Sequence, residues 1–184
     1  PLYTLDLQKP LHELDMLGIS IGYELSATNI LQVLDLGGLP LHACDRTDGH
    51  PIVICGGPAV TNPLPFAPFM DFVYIGEAEG GLQEIARILI EAKKQQKTRS
   101  EKLALLQSLP YLWYPGKKLA SRFIDTTFAT PEPHTYRHYV VPNFKVAQDN
   151  GVVEIMRGCP NSCRFCHAGQ YYKPYRQKLY STMA

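Results

Sequence analysis

The chain has 184 residues, enough for one full domain and part of a second. A hydrophobic fraction of 45% and a charged fraction of 19% are those of a globular protein and exclude a disordered or collagen-like chain. The formal net charge of +1 gives no bulk attraction for nucleic acid or an anionic membrane, and no apolar run nears the ~20 residues of a spanning helix.

The chain opens on Pro1-Leu2-Tyr3-Thr4-Leu5-Asp6, with no initiator Met, no basic stretch and no apolar core of a signal peptide. It closes soon after a cysteine cluster, so both ends are expected to be boundaries inside a larger protein. Met16-Leu17-Gly18-Ile19-Ser20-Ile21 is a short apolar run of the kind a buried parallel strand shows. Ser26 is placed to cap a helix whose apolar positions Ala27, Ile30, Leu31 and Leu34 recur at helical spacing, and Gly37-Gly38 and Pro40 stop it.

After a polar stretch, Ile52-Val53-Ile54-Cys55 reads as the next strand and runs into the turn Gly56-Gly57-Pro58. Pro63, Pro65 and Pro68 forbid a long helix there. Asp71-Phe72-Val73-Tyr74-Ile75 is a third strand ended by Gly76, and Leu82, Ile85, Ile88, Leu89 and Ala92 form a helical stripe. Strand–helix alternation with short connections predicts an α/β fold, a Rossmann-like parallel sheet with flanking helices, over residues 1–96.

Lys93 to Lys102 reads as a solvated helix end and linker, followed by a short amphipathic helix around Leu103-Ala104-Leu105-Leu106 that ends before Pro110. Residues 97–150 together are expected to form a linker and small β extension. Val152-Val153-Glu154-Ile155-Met156 then supplies one more strand, opening a segment 151–184 that carries the cysteines.

Five cysteines, an odd number with three of them between 159 and 166, argue against a disulfide framework and for a reducing, cytoplasmic setting. Cys55 reads as a buried small hydrophobe and Cys44 as a loop residue without a role. The cluster is Arg157-Gly158-Cys159-Pro160-Asn161-Ser162-Cys163-Arg164-Phe165-Cys166-His167. Three thiolates in one loop can converge on an inorganic centre, and Arg157 and Arg164 are expected to favour their deprotonation. Three other readings use the same letters. A Cys3His zinc site adds His167, giving a metal-stabilised binding module without catalysis. Cys163-Arg164-Phe165-Cys166-His167 matches a haem-attachment pattern, although that needs export and ignores Cys159. The plainest alternative is three unrelated cysteines.

The Cys-x3-Cys-x2-Cys pattern after a strand, with an aromatic residue just before the third cysteine, resembles the radical SAM superfamily. That resemblance implies a [4Fe–4S] cluster on Cys159, Cys163 and Cys166, whose open iron chelates S-adenosylmethionine, with Phe165 near the adenine. It also implies a partial (β/α) barrel of which only the first strand and cluster loop lie here, an electron donor of flavodoxin or ferredoxin type, and an unknown substrate. The string Glu154-Ile155-Met156-Arg157-Gly158-Cys159, with Cys166-His167-Ala168-Gly169 after it, resembles an uncharacterised group with an N-terminal cobalamin (B12)-binding-like domain. Gly56-Gly57-Pro58, Pro63, Pro65, Asp71 and Gly76-Glu77-Ala78-Glu79-Gly80 resemble the later part of such a domain, whose opening strand and helix are expected upstream of Pro1.

The DxHxxG string that ligates cobalt through histidine does not occur, and His12, His42 and His50 read as surface or turn residues. A cobalamin role falls on Gly56 and Gly57, where only glycine lets backbone come close to a ligand. Glu77 and Glu79 are expected to bind backbone amides or favour a helix dipole rather than act as acid and base. Tyr171-Tyr172-Lys173-Pro174-Tyr175-Arg176 reads as packing, with RNA stacking as the alternative, and Trp113 reads as packing.

Overall fold

The computed structural model describes residues 1–129, 145, 154–161 and 163–179, which divide into two compact units, Pro1–Asp125 and Thr126–Ala184. In the first unit the apolar runs become parallel strands. β1 (Met16–Ser20), β2 (Ile52–Gly56) and β3 (Phe72–Tyr74) lie side by side in that order, with Leu17 opposite Val53 and Ile54 opposite Phe72. β2 is the middle of the three parallel strands, and its alternate residues serve opposite faces, as a two-residue period requires. Val53 and Cys55 join the cluster built on α1 (Ala27–Leu36), with Ile30, Leu34, Val60 and Met70. Ile52 and Ile54 join the cluster on α2 (Gly81–Lys94), with Phe72, Ile85 and Leu89. Burial on both faces explains why β2 reads as an unbroken apolar run. This is the α/β, Rossmann-like arrangement expected, a parallel-dominated sheet covered by helices.

Two local expectations differ from the structure. Ser26 makes no side-chain cap for α1: it ends a 3-10 turn, Glu24–Ser26, and its own backbone is already helical, whereas a capping hydroxyl needs an extended residue. The basic stretch after α2 is also shorter as a linker than expected. α3 (Arg99–Gln107) starts within it, because Thr98 accepts from the Glu101 amide at 3.4 Å while the Glu101 carboxylate accepts from the Thr98 amide at 2.8 Å.

Residues 97–125, expected to be linker and extension, are built into the first unit. β4 (Leu112–Trp113) adds an antiparallel edge to β3, and Leu106, Leu109, Tyr111 and Leu112 complete the α2 cluster. Trp113 packs in the other cluster, as expected.

The first unit also buries charge. Arg46 and Arg99 are each only 6% exposed, and both reach Asp71, the residue just before β3. Arg99 Nη2 lies 2.6 and 2.7 Å from the two Asp71 oxygens, and Arg46 Nη1 lies 3.3 Å from Oδ2. That oxygen also accepts the Val53 amide of β2 at 2.7 Å. Carbonyls satisfy the remaining donors. Arg46 donates to Pro40, Leu41 and Phe69, and Arg99 to His50 and Pro51. Burial lowers the Arg46 pKa from its ordinary value, and the Asp71 carboxylate counters that shift.

In the second unit, β5 (Met156–Arg157) pairs antiparallel with β6 (Arg176–Gln177), placing Met156 opposite Gln177 and Arg157 opposite Arg176. A short helix, α4 (Ala168–Tyr171), lies between them in sequence. Of the strand expected over Val152 to Met156, residues 151–153 lie outside the described residues, as does the extension over 130–150 apart from Lys145.

Two outcomes follow for urea unfolding. Asp71→Ala strands two buried guanidiniums and is expected to cost about 3–5 kcal/mol, seen as a lower midpoint with an unchanged slope. Thr98→Ala removes a cap and is expected to cost ~1 kcal/mol. The backbone amide of Thr98 holds the Glu101 carboxyl below its ordinary range. Its contribution is therefore complete above the unfolded glutamate pKa and is lost as pH falls through the lowered folded value. If Thr98→Ala shows the same stability as wild type at both neutral and acid pH, the capping account is wrong.

Candidate functional site

The cysteine loop begins one residue after β5 and ends at α4. Its upstream edge is anchored by Arg157, whose guanidinium makes two 2.9 Å bonds to the Glu154 carboxylate and lies 4.4 Å from the centroid of the Phe128 ring. Arg176 and Lys178 face the same ring at 5.7 and 4.9 Å. The loop then turns at Gly158, whose φ is +87°. A Cβ there would lie 2.7 Å from the Tyr172 carbonyl oxygen and 2.8 Å from the Tyr175 Cα.

Downstream, the Cys166 amide donates to the Cys163 carbonyl at 3.1 Å. That bond closes a β-turn with Arg164 and Phe165 at its tip, and the ends of such a turn are within about 7 Å of each other. Phe165 is 93% exposed. All three thiols are free; Cys163 is exposed, and Cys159 and Cys166 are half-buried. Among the described residues, no three His, Cys, Asp or Glu side chains gather as closely as a bound metal ion requires. The donor chemistry still fits an iron–sulfur cluster or zinc, since soft thiols on one short loop favour those centres.

The neighbours of the thiols differ in part from expectation. Arg157 is matched by Glu154, three residues earlier, so its charge is not directed at the thiols alone. Arg164 is exposed on the turn. The His167 ring packs against Tyr171 at 5.3 Å, and Tyr171 is buried against Tyr172 in an edge-on contact at 4.9 Å. The aromatic segment 171–176 therefore supplies packing through its first tyrosine. Sequence reading missed Phe128, which lies far from every motif, and Glu154, whose three-residue spacing from Arg157 is a pairing signal only on a helix.

In the first unit, Gly57 has φ +107°, and a Cβ on it would lie 2.5 Å from the Ile21 carbonyl oxygen. The close approach that requires glycine is made by the chain itself: the Ile21 amide donates to Gly56 at 2.7 Å, and the Ile21 carbonyl accepts from Ala59 at 3.2 Å. At Gly56 a Cβ would meet Tyr74 only at 3.5 Å, an ordinary contact. The glycines and acids after β3 have a similar internal use. A Cβ on Gly76 would collide with the Phe123 carbonyl oxygen. The Glu77 carboxylate accepts the Asp125 amide at 2.9 Å and pairs with Arg122 at 3.4 Å. Glu77 thus binds backbone, as expected.

The remaining titratable candidates are structural. Burial pushes the Cys55 thiol up to about 12, so it stays protonated. His50 accepts the Thr47 amide at 3.0 Å, His42 stacks on Phe69, and His12 lies 3.4 Å from the Gly37 carbonyl.

Comparison with known proteins gives two matches. The family model described as radical SAM proteins, N-terminal, matches residues 1–115. An uncharacterized protein of Methanocaldococcus jannaschii is 28% identical over 185 residues, a match covering 97% of this chain and 36% of that relative. The chain therefore spans about a third of the relative's length. No solved structure matches.

The two glycines after β2 predict a contrast. Gly57→Ala meets both backbone strain and the Ile21 carbonyl and is expected to cost about 1–3 kcal/mol in thermal unfolding. Gly56→Ala is expected to change stability by less than about 1 kcal/mol. Equal effects at the two positions would refute the internal-contact account of Gly57.

Proposed function

The chain belongs to the family of radical SAM proteins, N-terminal, and on that premise we propose that it forms part of a radical SAM iron–sulfur enzyme whose [4Fe–4S] cluster is held by Cys159, Cys163 and Cys166. The observation that carries the reading is the Cys-x3-Cys-x2-Cys loop with three free thiols and no competing disulfide. A cluster held there would supply the electron that splits the S–C5′ bond of S-adenosylmethionine into methionine and a 5′-deoxyadenosyl radical, or would support methyl transfer, on an unknown substrate. The Cys163–Cys166 turn presents two thiolates from its ends and Cys159 adds the third. Phe165, at the turn's tip, offers an exposed ring face for the adenine.

A cobalamin contact would fall on Gly56 and Gly57, of which Gly57 already packs on the Ile21 carbonyl while Gly56 meets only Tyr74, at an ordinary 3.5 Å. The reading calls for a one-electron donor protein of flavodoxin or ferredoxin type and a reducing, cytoplasmic setting. Among the described residues no helix is long and apolar enough to cross a membrane.

The test is anaerobic reconstitution with iron and sulfide, then electron paramagnetic resonance after reduction, with and without S-adenosylmethionine. A [4Fe–4S] signal that S-adenosylmethionine shifts, and that Cys159→Ala abolishes, is expected. Stoichiometric zinc with no iron uptake in the protein of the relative's full length overturns the reading in favour of a zinc-bound module. With Phe165 so exposed, the 184-residue chain alone is expected to give no sustained 5′-deoxyadenosine.

A further inference from the structure

We propose that Gly158 and Gly169 are positioning residues that set Cys159 against the Cys163–Cys166 turn by letting backbone pack on backbone at both sides of the cysteine loop. The proposal rests on the thiol loop described above and deepens it. At the entrance, the Cα of Gly158 lies against the chain that returns toward β6. An added methyl would meet the Tyr172 oxygen at 2.7 Å, the Tyr175 Cα at 2.8 Å and the Pro174 oxygen at 3.0 Å. All three are main-chain atoms, so no side-chain rotation relieves the contact. On the far side, Gly169 in α4 lies against the middle of the loop, and a methyl there would lie 2.9 Å from the Asn161 carbonyl oxygen.

These two contacts fix different parts of the loop. Gly158 precedes Cys159 directly, so its left-handed backbone sets the direction in which that thiol leaves β5. Asn161 lies between Cys159 and Cys163, so the Gly169 contact sets the height of the loop over α4. The hydrogen bond from the Cys166 amide to the Cys163 carbonyl fixes the backbone of the other two cysteines relative to each other. Displacing the Asn161 carbonyl therefore moves Cys159 relative to a pair whose own geometry is closed. Supporting contacts of this kind, one step behind the ligands, govern how well a ligand set is preorganised.

Gly169 separates positioning from mere folding. Its φ lies outside the left-handed region, and alanine favours a helix over glycine, so Gly169→Ala relieves nothing except the space at Asn161. A purely structural role predicts a less stable variant with unchanged thiol chemistry.

The probe is Cd2+, titrated into the reduced, anaerobic chain and followed by its ultraviolet thiolate charge-transfer band, with Cys159→Ala as the broken reference. Wild type is expected to bind more tightly than Cys159→Ala, and both Gly158→Ala and Gly169→Ala more weakly than wild type by about tenfold to a hundredfold. For Gly169→Ala the far-ultraviolet circular dichroism is expected to match wild type, with the melting temperature lowered by no more than about a few degrees. Equal Cd2+ affinity in Gly169→Ala and wild type overturns the proposal, as does wild-type affinity no better than that of Cys159→Ala. The Cd2+ readout is independent of iron. The expected Cd2+ differences without any iron–sulfur uptake would reject the enzyme reading and leave the positioning role standing.

Discussion

Asp71 is the point on which the first unit depends, because one carboxylate joins segments that are far apart in sequence. Its oxygens take the Val53 amide from β2, the Arg46 guanidinium from the loop before that strand, and the Arg99 guanidinium from the start of α3. Burying two guanidiniums against a single carboxylate is costly unless every remaining donor finds an acceptor. The carbonyls of Pro40, Leu41, Phe69, His50 and Pro51 supply that satisfaction, and to do so they must stand where they do. The network thereby fixes both loops that enter β2 and β3, and it locks α3 onto the sheet. The hydrophobic clusters provide most of the driving force for burial, but they are tolerant of small shifts. A buried charge pair held by directional hydrogen bonds is not.

The same unit shows why glycine motifs are ambiguous in a sequence. A glycine marks a place where something comes close, and the letters do not say what. At Gly57 it is Ile21, and at Gly76 it is Phe123. In both cases the approaching group is the chain's own backbone, carried there by hydrogen bonds that close the ends of β1 and β3. Asp71 is similar: it stands in the stretch that resembles a B12-binding-type domain, yet its oxygens are taken up by the fold.

The strands and the helices α1 and α2 were legible because burial on both faces leaves unbroken apolar runs and helical stripes. The capping box at Thr98 and Glu101 was legible in principle as Thr-x-x-Glu, but the surrounding basic residues disguised it as linker. β4 was not legible, since two residues of pairing carry no period. Nor was the charge network, because nothing local ties Arg46 and Arg99 to an aspartate more than twenty residues from each. In the second unit the cysteine spacing spoke for itself. The platform beneath it did not, because Phe128 reaches Arg157 only through the folded chain.

That platform has a consequence for the loop's chemistry. β5 and β6 place Arg157 and Arg176 opposite each other, an arrangement that like charges disfavour. Glu154 neutralises one of them, and the face of Phe128 accepts both together with Lys178. Counting Arg164 and Lys173, residues 154–179 carry five cations against Glu154 alone, in a chain whose net charge is only +1. Three thiolates gathered in the loop would bring the opposite charge into that stretch. The β5–β6 pairing thus depends on Glu154 and the Phe128 face to offset the repulsion between its paired arginines, and that pairing carries the start of the cysteine loop.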